Sequence, residues 1–151
     1  MAVQGIIFGL DGVMVSMREP LGKLSPDDIL PGVMALLARL KSRRVKLAVA
    51  SSGKDMQFVL KRIGLEHFFD AVVDGSGIRE GEPDPEVYLE AANKLGLLPE
   101  GCLVVEAGDA GVEAAVAGGM KVLAVGSAWE NPKADYRSRA LRSVDLDLIL
   151  K

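Results

Sequence analysis

Cysteine and histidine are nearly absent from this chain, which carries one of each in 151 residues. The lone thiol, Cys102, excludes an internal disulfide. Its place in the apolar run Cys102-Leu103-Val104-Val105 predicts a buried thiol in a reducing compartment, the cytoplasm. One histidine beside one cysteine cannot build a structural zinc site. Excess positive charge is also missing, since 18 lysines and arginines face 21 aspartates and glutamates for a net charge of −3. That leaves no basic field to hold a nucleic-acid backbone or an anionic membrane, so neither is expected as a partner. No apolar run is long enough to span a bilayer, and the first residues lack the basic start and cleavage site of a secretory signal.

What is present is a globular composition, 49% hydrophobic and 26% charged, expected to form a single domain over residues 1–151. Short apolar runs recur at Gly5–Phe8, Val45–Ala50, Ala71–Val73, Leu103–Glu106 and Lys121–Val125, aliphatic or β-branched and too short for helices. Between them lie stretches of helical period. Pro31–Arg43 sets Val33, Leu36, Leu37 and Leu40 on one face, with Pro31 suited to a first turn. Lys54–Ile63 is closed by Gly64, Pro85–Leu95 by Gly96, and Gly108–Ala117 by Gly118-Gly119. The alternation predicts an α/β fold: one three-layer, doubly wound domain around a parallel sheet buried on both faces. Residues 17–28 and 127–133 read as loops, and the tail as a short edge strand and a short helix ending on Leu146, Ile149 and Leu150. Met14, Met17 and Met56 read as gap-filling core residues. Arg137, Arg139 and Arg142 read as solvated surface.

Open parallel sheets bind ligands beyond the carboxyl ends of their strands, so the residues following each strand are the candidates. The first strand runs into Gly9, Asp11 and Gly12, and the second into Ser51-Ser52-Gly53-Lys54. The third is followed at a distance by Glu82-Pro83, and the fourth by Glu106-Ala107-Gly108-Asp109. Hydroxyls, backbone N–H groups and a helix start at Ser51, Ser52 and Lys54 suit a phosphate, although either serine could simply cap the next helix. Asp11 could be a turn residue beside Gly12, Asp109 a helix cap, and Glu82 a solvated loop charge.

The order of these clusters resembles the haloacid dehalogenase (HAD-like) superfamily of phosphatases and phosphomutases, most closely its β-phosphoglucomutase-like branch. The resemblance runs from about Ile6 to Val125 and includes "LEHFFDAVVDGSGI", "PDPEVYLEAANKLGL" and "DAGVEAAVAGGMKVLAVG". It implies a five-stranded sheet of order 5-4-1-2-3. It also implies a catalytic aspartate nucleophile at position 9, a general acid/base at Asp11, a phosphate-binding hydroxyl at Ser51, a lysine at position 82 and an acidic pair holding Mg2+ at 106–107. This chain departs from that pattern at three of those places: Gly9, Glu82 and Ala107. The helical cap domain that relatives insert after the first motif is also replaced by a short loop, residues 14–24.

Glycine offers no nucleophile, Glu82 reverses the charge that would neutralise a transferring phosphoryl group, and Ala107 removes a metal ligand. The leading expectation is therefore a catalytically inactive domain kept as a binding or regulatory module. A protein partner or a second copy of the chain would then lie over the uncapped site, with a phosphate or phosphoester as a further candidate ligand. The alternative is a Mg2+-dependent phosphohydrolase of weak or altered activity, using Asp11 and Glu106 as metal ligands with Glu82 as a third candidate. Mg2+ held weakly, or no cofactor, is expected. A third reading supplies the nucleophile from Asp55 or Asp109, neither of which follows the first strand.

Overall fold

The computed structural model describes residues 2–150. Six strands form one sheet: β1 (Gly5–Phe8), β2 (Lys46–Ala50), β3 (Ala71–Val73), β4 (Cys102–Glu106), β5 (Lys121–Ala124) and β6 (Tyr136–Arg137). Every pairing is parallel and the order is β3-β2-β1-β4-β5-β6. Read from the other edge, this is the expected 5-4-1-2-3 with β6 added outside β5, so the sheet has six strands rather than five. The added strand comes from the tail. Asp135 holds it in place, accepting the Val122 N–H on its carboxylate at 2.8 Å and donating its own N–H to the Val122 carbonyl at 3.0 Å.

Side chains alternate across the strands and so divide the core in two. Ile6, Phe8, Leu47, Val49, Leu103 and Val105 face helices α1 (Val33–Ser42), α2 (Met56–Ile63) and the short α5 (Leu146–Ile149). Ile7, Ala48, Ala50, Val104 and Ala124 face α3 (Glu86–Leu95) and α4 (Asp109–Ala117). Met14 and Met56 are buried in the first core and Met17 packs against it. Cys102 is buried in the second. Among the described residues no helix is long and apolar enough to cross a membrane.

Two helices start two residues later than expected. α1 starts at Val33 rather than Pro31, because Gly32 turns the chain at φ 86°. A Cβ on Gly32 would come within 2.8 Å of the Arg142 backbone, so close packing against the C-terminal segment requires glycine there. α2 starts at Met56 because residues 52–54 are a bend, with the Gly53 N–H bonded to Ser51 Oγ at 3.2 Å.

No domain is inserted between β1 and α1. Residues 14–24 fold onto the core instead, burying Met14, Val15 and Leu24. Arg18 ties this segment down: its guanidinium donates to both oxygens of Asp28, at 2.9 and 3.2 Å, and to the Lys23 carbonyl at 3.1 Å. The chain visits β2 and β3 on one side of β1 and then crosses back to β4 on the other. That reversal falls at the carboxyl ends of β1 and β4, where Gly9 and Glu106 lie, the switch point at which open parallel sheets bind ligands.

Candidate functional site

β1 and β4 run side by side, with Phe8 paired to Val105, so the next residues of each strand meet. The Gly9 N–H donates to the Val105 carbonyl at 2.9 Å. A Cβ built on Gly9 would stand 2.8 Å from one Glu106 carboxylate oxygen and 3.0 Å from the other. The direction in which a side chain at position 9 would project is thus already filled by Glu106.

Glu106 is 8% exposed and fully bonded. It accepts the Tyr88 hydroxyl, the Ala107 N–H at 2.8 Å and the Gly108 N–H at 3.3 Å. Its stem runs over Gly111, where a Cβ would collide with Glu106 Cγ. Two glycines, one after β1 and one in the first turn of α4, therefore make the room this side chain occupies. Burial raises the Glu106 pKa, with the negative charge of Asp11 adding to the rise and the Tyr88, Ala107 and Gly108 hydrogen bonds opposing it.

Glu82 lies beside this carboxylate. Burial, and then the charge of Glu106, push its pKa up to about 7, while a hydrogen bond from Ser52 pulls the other way. Glu82 is therefore a half-buried member of an acidic cluster rather than a solvated loop charge. Ser52 packs near Gly81 and faces the same carboxylate. No lysine or arginine pairs with Asp11, Glu82 or Glu106 among the described residues.

The remaining candidates serve local structure. Asp11 is exposed, and its carboxylate accepts the Met17 N–H at 3.2 Å, stapling the short loop to β1. Ser51 closes its own turn and does not cap α2, whose N-cap is Asp55. Lys54 is exposed and forms no ion pair with the acidic cluster. Asp109 follows the N-cap of α4 and accepts the Asn131 side-chain amide at 2.8 Å, anchoring the loop after β5. Sequence reasoning missed Tyr88. A tyrosine on the apolar face of an amphipathic helix needs a partner for its hydroxyl, and that requirement is the signal that could have found it.

The carboxyl edge of the sheet gathers the Ser51–Lys54 turn before α2, Asp11 after β1 and Glu106 at the end of β4. The model of the haloacid dehalogenase-like hydrolases matches residues 4–119, covering β1 to β4. The chain belongs to that family. The β-phosphoglucomutase of Bacillus subtilis (strain 168) is 34% identical over 129 residues, covering 85% of this chain and 57% of that protein. A phosphorylated carbohydrates phosphatase of Thermotoga maritima is 41% identical over 93 residues, covering 60% of this chain and 43% of that protein. The chain thus spans about half the length of these relatives. A β-phosphoglucomutase structure from Clostridium difficile superposes with a TM-score of 0.89 at 21% identity, over 97% of this chain and 95% of that one, and so shares the fold.

Family members typically use Mg2+, and the residues present here do not fit that ion. Glu106 spends its oxygens on Tyr88 and two backbone amides, position 107 is an alanine, and position 9 offers no side-chain oxygen. Among the described residues no group of three or more acidic, histidine or cysteine side chains is arranged to hold a metal ion.

Proposed function

We propose that this chain is a non-catalytic member of the haloacid dehalogenase-like family, kept as a binding or regulatory domain in the cytoplasm. The observation that carries this reading is the fit of Glu106 to Gly9: the buried carboxylate lies where a nucleophile at position 9 would project. Loss of the nucleophile removes covalent phosphoryl transfer, and the Glu82–Glu106 pair repels the phosphate that a lysine would attract. The uncapped edge has no lid to exclude water from a small sugar phosphate, which favours a partner protein or a second copy of the chain as its cover.

The test is a phosphomonoester screen with added Mg2+ on the wild type and on the triple variant Gly9→Asp, Glu82→Lys, Ala107→Asp. No turnover by the wild type is expected. Activity confined to the triple variant supports a scaffold that outlived its chemistry. Wild-type turnover that Asp11→Asn abolishes refutes the reading.

A further inference from the structure

A cavity opens at the carboxyl edge of the sheet, beside Ala107. It measures about 280 Å³ and lies between the residues following β1, the entry to α1, the residues following β5 and the C-terminal segment before α5. Val13, Leu30, Val125 and Leu141 give it apolar walls, and the exposed residues Arg139 and Arg142 complete the lining. Gly12 and Gly126 form the partition with the neighbouring site: Cβ atoms on them would lie 3.1 and 3.5 Å from the Ala107 Cβ.

Three observations bear on what the cavity accepts. Its lining contains no acidic residue. Neither guanidinium is paired with a carboxylate among the described residues, although the chain as a whole is acidic. Arg139 lies over the Trp129 ring, 4.6 Å from its centroid, a cation–π contact that restrains the guanidinium without occupying it with a carboxylate. Two arginines without carboxylate partners beside an apolar hollow match an anionic head on an apolar body.

We propose that this cavity binds a small organic anion, a carboxylate or phosphate monoester on a compact apolar body of roughly ten non-hydrogen atoms. The head engages Arg139 and Arg142 and the body lies against Val13, Leu30, Val125 and Leu141. This site is separate from the family's phosphate position at Ser51 and does not depend on whether the chain is catalytic.

The chain's single tryptophan, Trp129, stacks on Arg139, so its fluorescence reports engagement of that guanidinium. The full chain is titrated with 3-phenylpropionate, phenyl phosphate, the neutral 3-phenylpropanol, and acetate. Saturable binding is expected for at least one of the two aromatic anions, at least tenfold tighter than for the alcohol or acetate. The double variant Arg139→Gln, Arg142→Gln should lose at least tenfold in affinity. Ala140→Leu, which fills the cavity from its lining, should lose binding with both arginines intact, while Ser51→Ala should bind as the wild type does. Arg139, Arg142 and Ala140 lie outside the fully buried core, and unchanged melting curves confirm that these variants fold. Equal affinity for the alcohol, undiminished binding by the double variant, or no saturation with either aromatic anion overturns the proposal.

Discussion

Replacing Gly9 by alanine adds one methyl group, and the structure says what it meets. The new carbon would stand 2.8 and 3.0 Å from the two Glu106 oxygens and 3.1 Å from its carboxyl carbon. Gly9 does not have the positive φ that penalises a side chain, so the cost is one of space. A free carboxylate would swing aside cheaply, but this one is pinned by Tyr88 and by the Ala107 and Gly108 N–H groups. Moving it strains or breaks a hydrogen bond of the charge-assisted kind, and forcing a methyl into a packed site costs about 1–3 kcal/mol. We expect about 2 kcal/mol of destabilisation, a fall in Tm of about 4–8 °C for a domain of this size. In a Glu106→Ala background the space is free, and the same Gly9→Ala change should be neutral or stabilising by about 0.4–1 kcal/mol, because alanine restricts the unfolded chain. Chemical denaturation of the wild type, both single variants and the double variant gives the coupling directly. A coupling below about 0.5 kcal/mol, the additive limit for independent sites, would refute the claim that Glu106 fills the place of a side chain at position 9.

Two further outcomes follow from the same cluster. Tyr88→Phe keeps the buried ring but removes the hydroxyl that Glu106 accepts, and should cost about 1.5–3 kcal/mol in denaturant titrations; a change within about 0.5 kcal/mol contradicts the bond. Glu82 sets a pH dependence. Its folded pKa of about 7 stands above the reference 4.5, so the folded state binds more protons than the unfolded state between those values. Stability from this group therefore falls as pH rises from 4.5 to about 7 and levels off above. Glu106, shifted in the same direction, adds to the slope. Glu82→Gln should flatten the decline in Tm over that window, and an unchanged slope would remove Glu82 as its source.

The parallel α/β core was legible because burial on both faces writes itself into short, nearly continuous apolar strands. β1 and β3 match their expected bounds, and β2, β4 and β5 shift by one residue at an end. β6 was visible as an edge strand in the tail but not as a sixth member of the sheet, since a two-residue strand has no period. The start of α1 was misplaced because Gly32 answers to Arg142, more than a hundred residues away, and local propensity carries no trace of that contact. The positions of Gly9, Glu82 and Ala107 were plain in the sequence, but the use of Glu106 was not. Four hydrogen-bonded roles were likewise hidden: Asp11 as a staple to Met17, Ser51 closing its turn, Asp109 bonded to Asn131, and Tyr88 bonded to Glu106.

The sequence by itself determined the layers, the family and the glycine that follows β1 at position 9, because these depend on residue type and on periods read along the chain. Only the tertiary structure decided what fills the space beside Gly9. Gly9, Tyr88, Glu106 and Gly111 come from β1, α3, β4 and α4 or the residues just beyond them, and their fit depends on how strands and helices are stacked. A glutamate can occupy that spot because two glycines leave it room, and a tyrosine and two backbone amides keep it from being a buried polar group without partners.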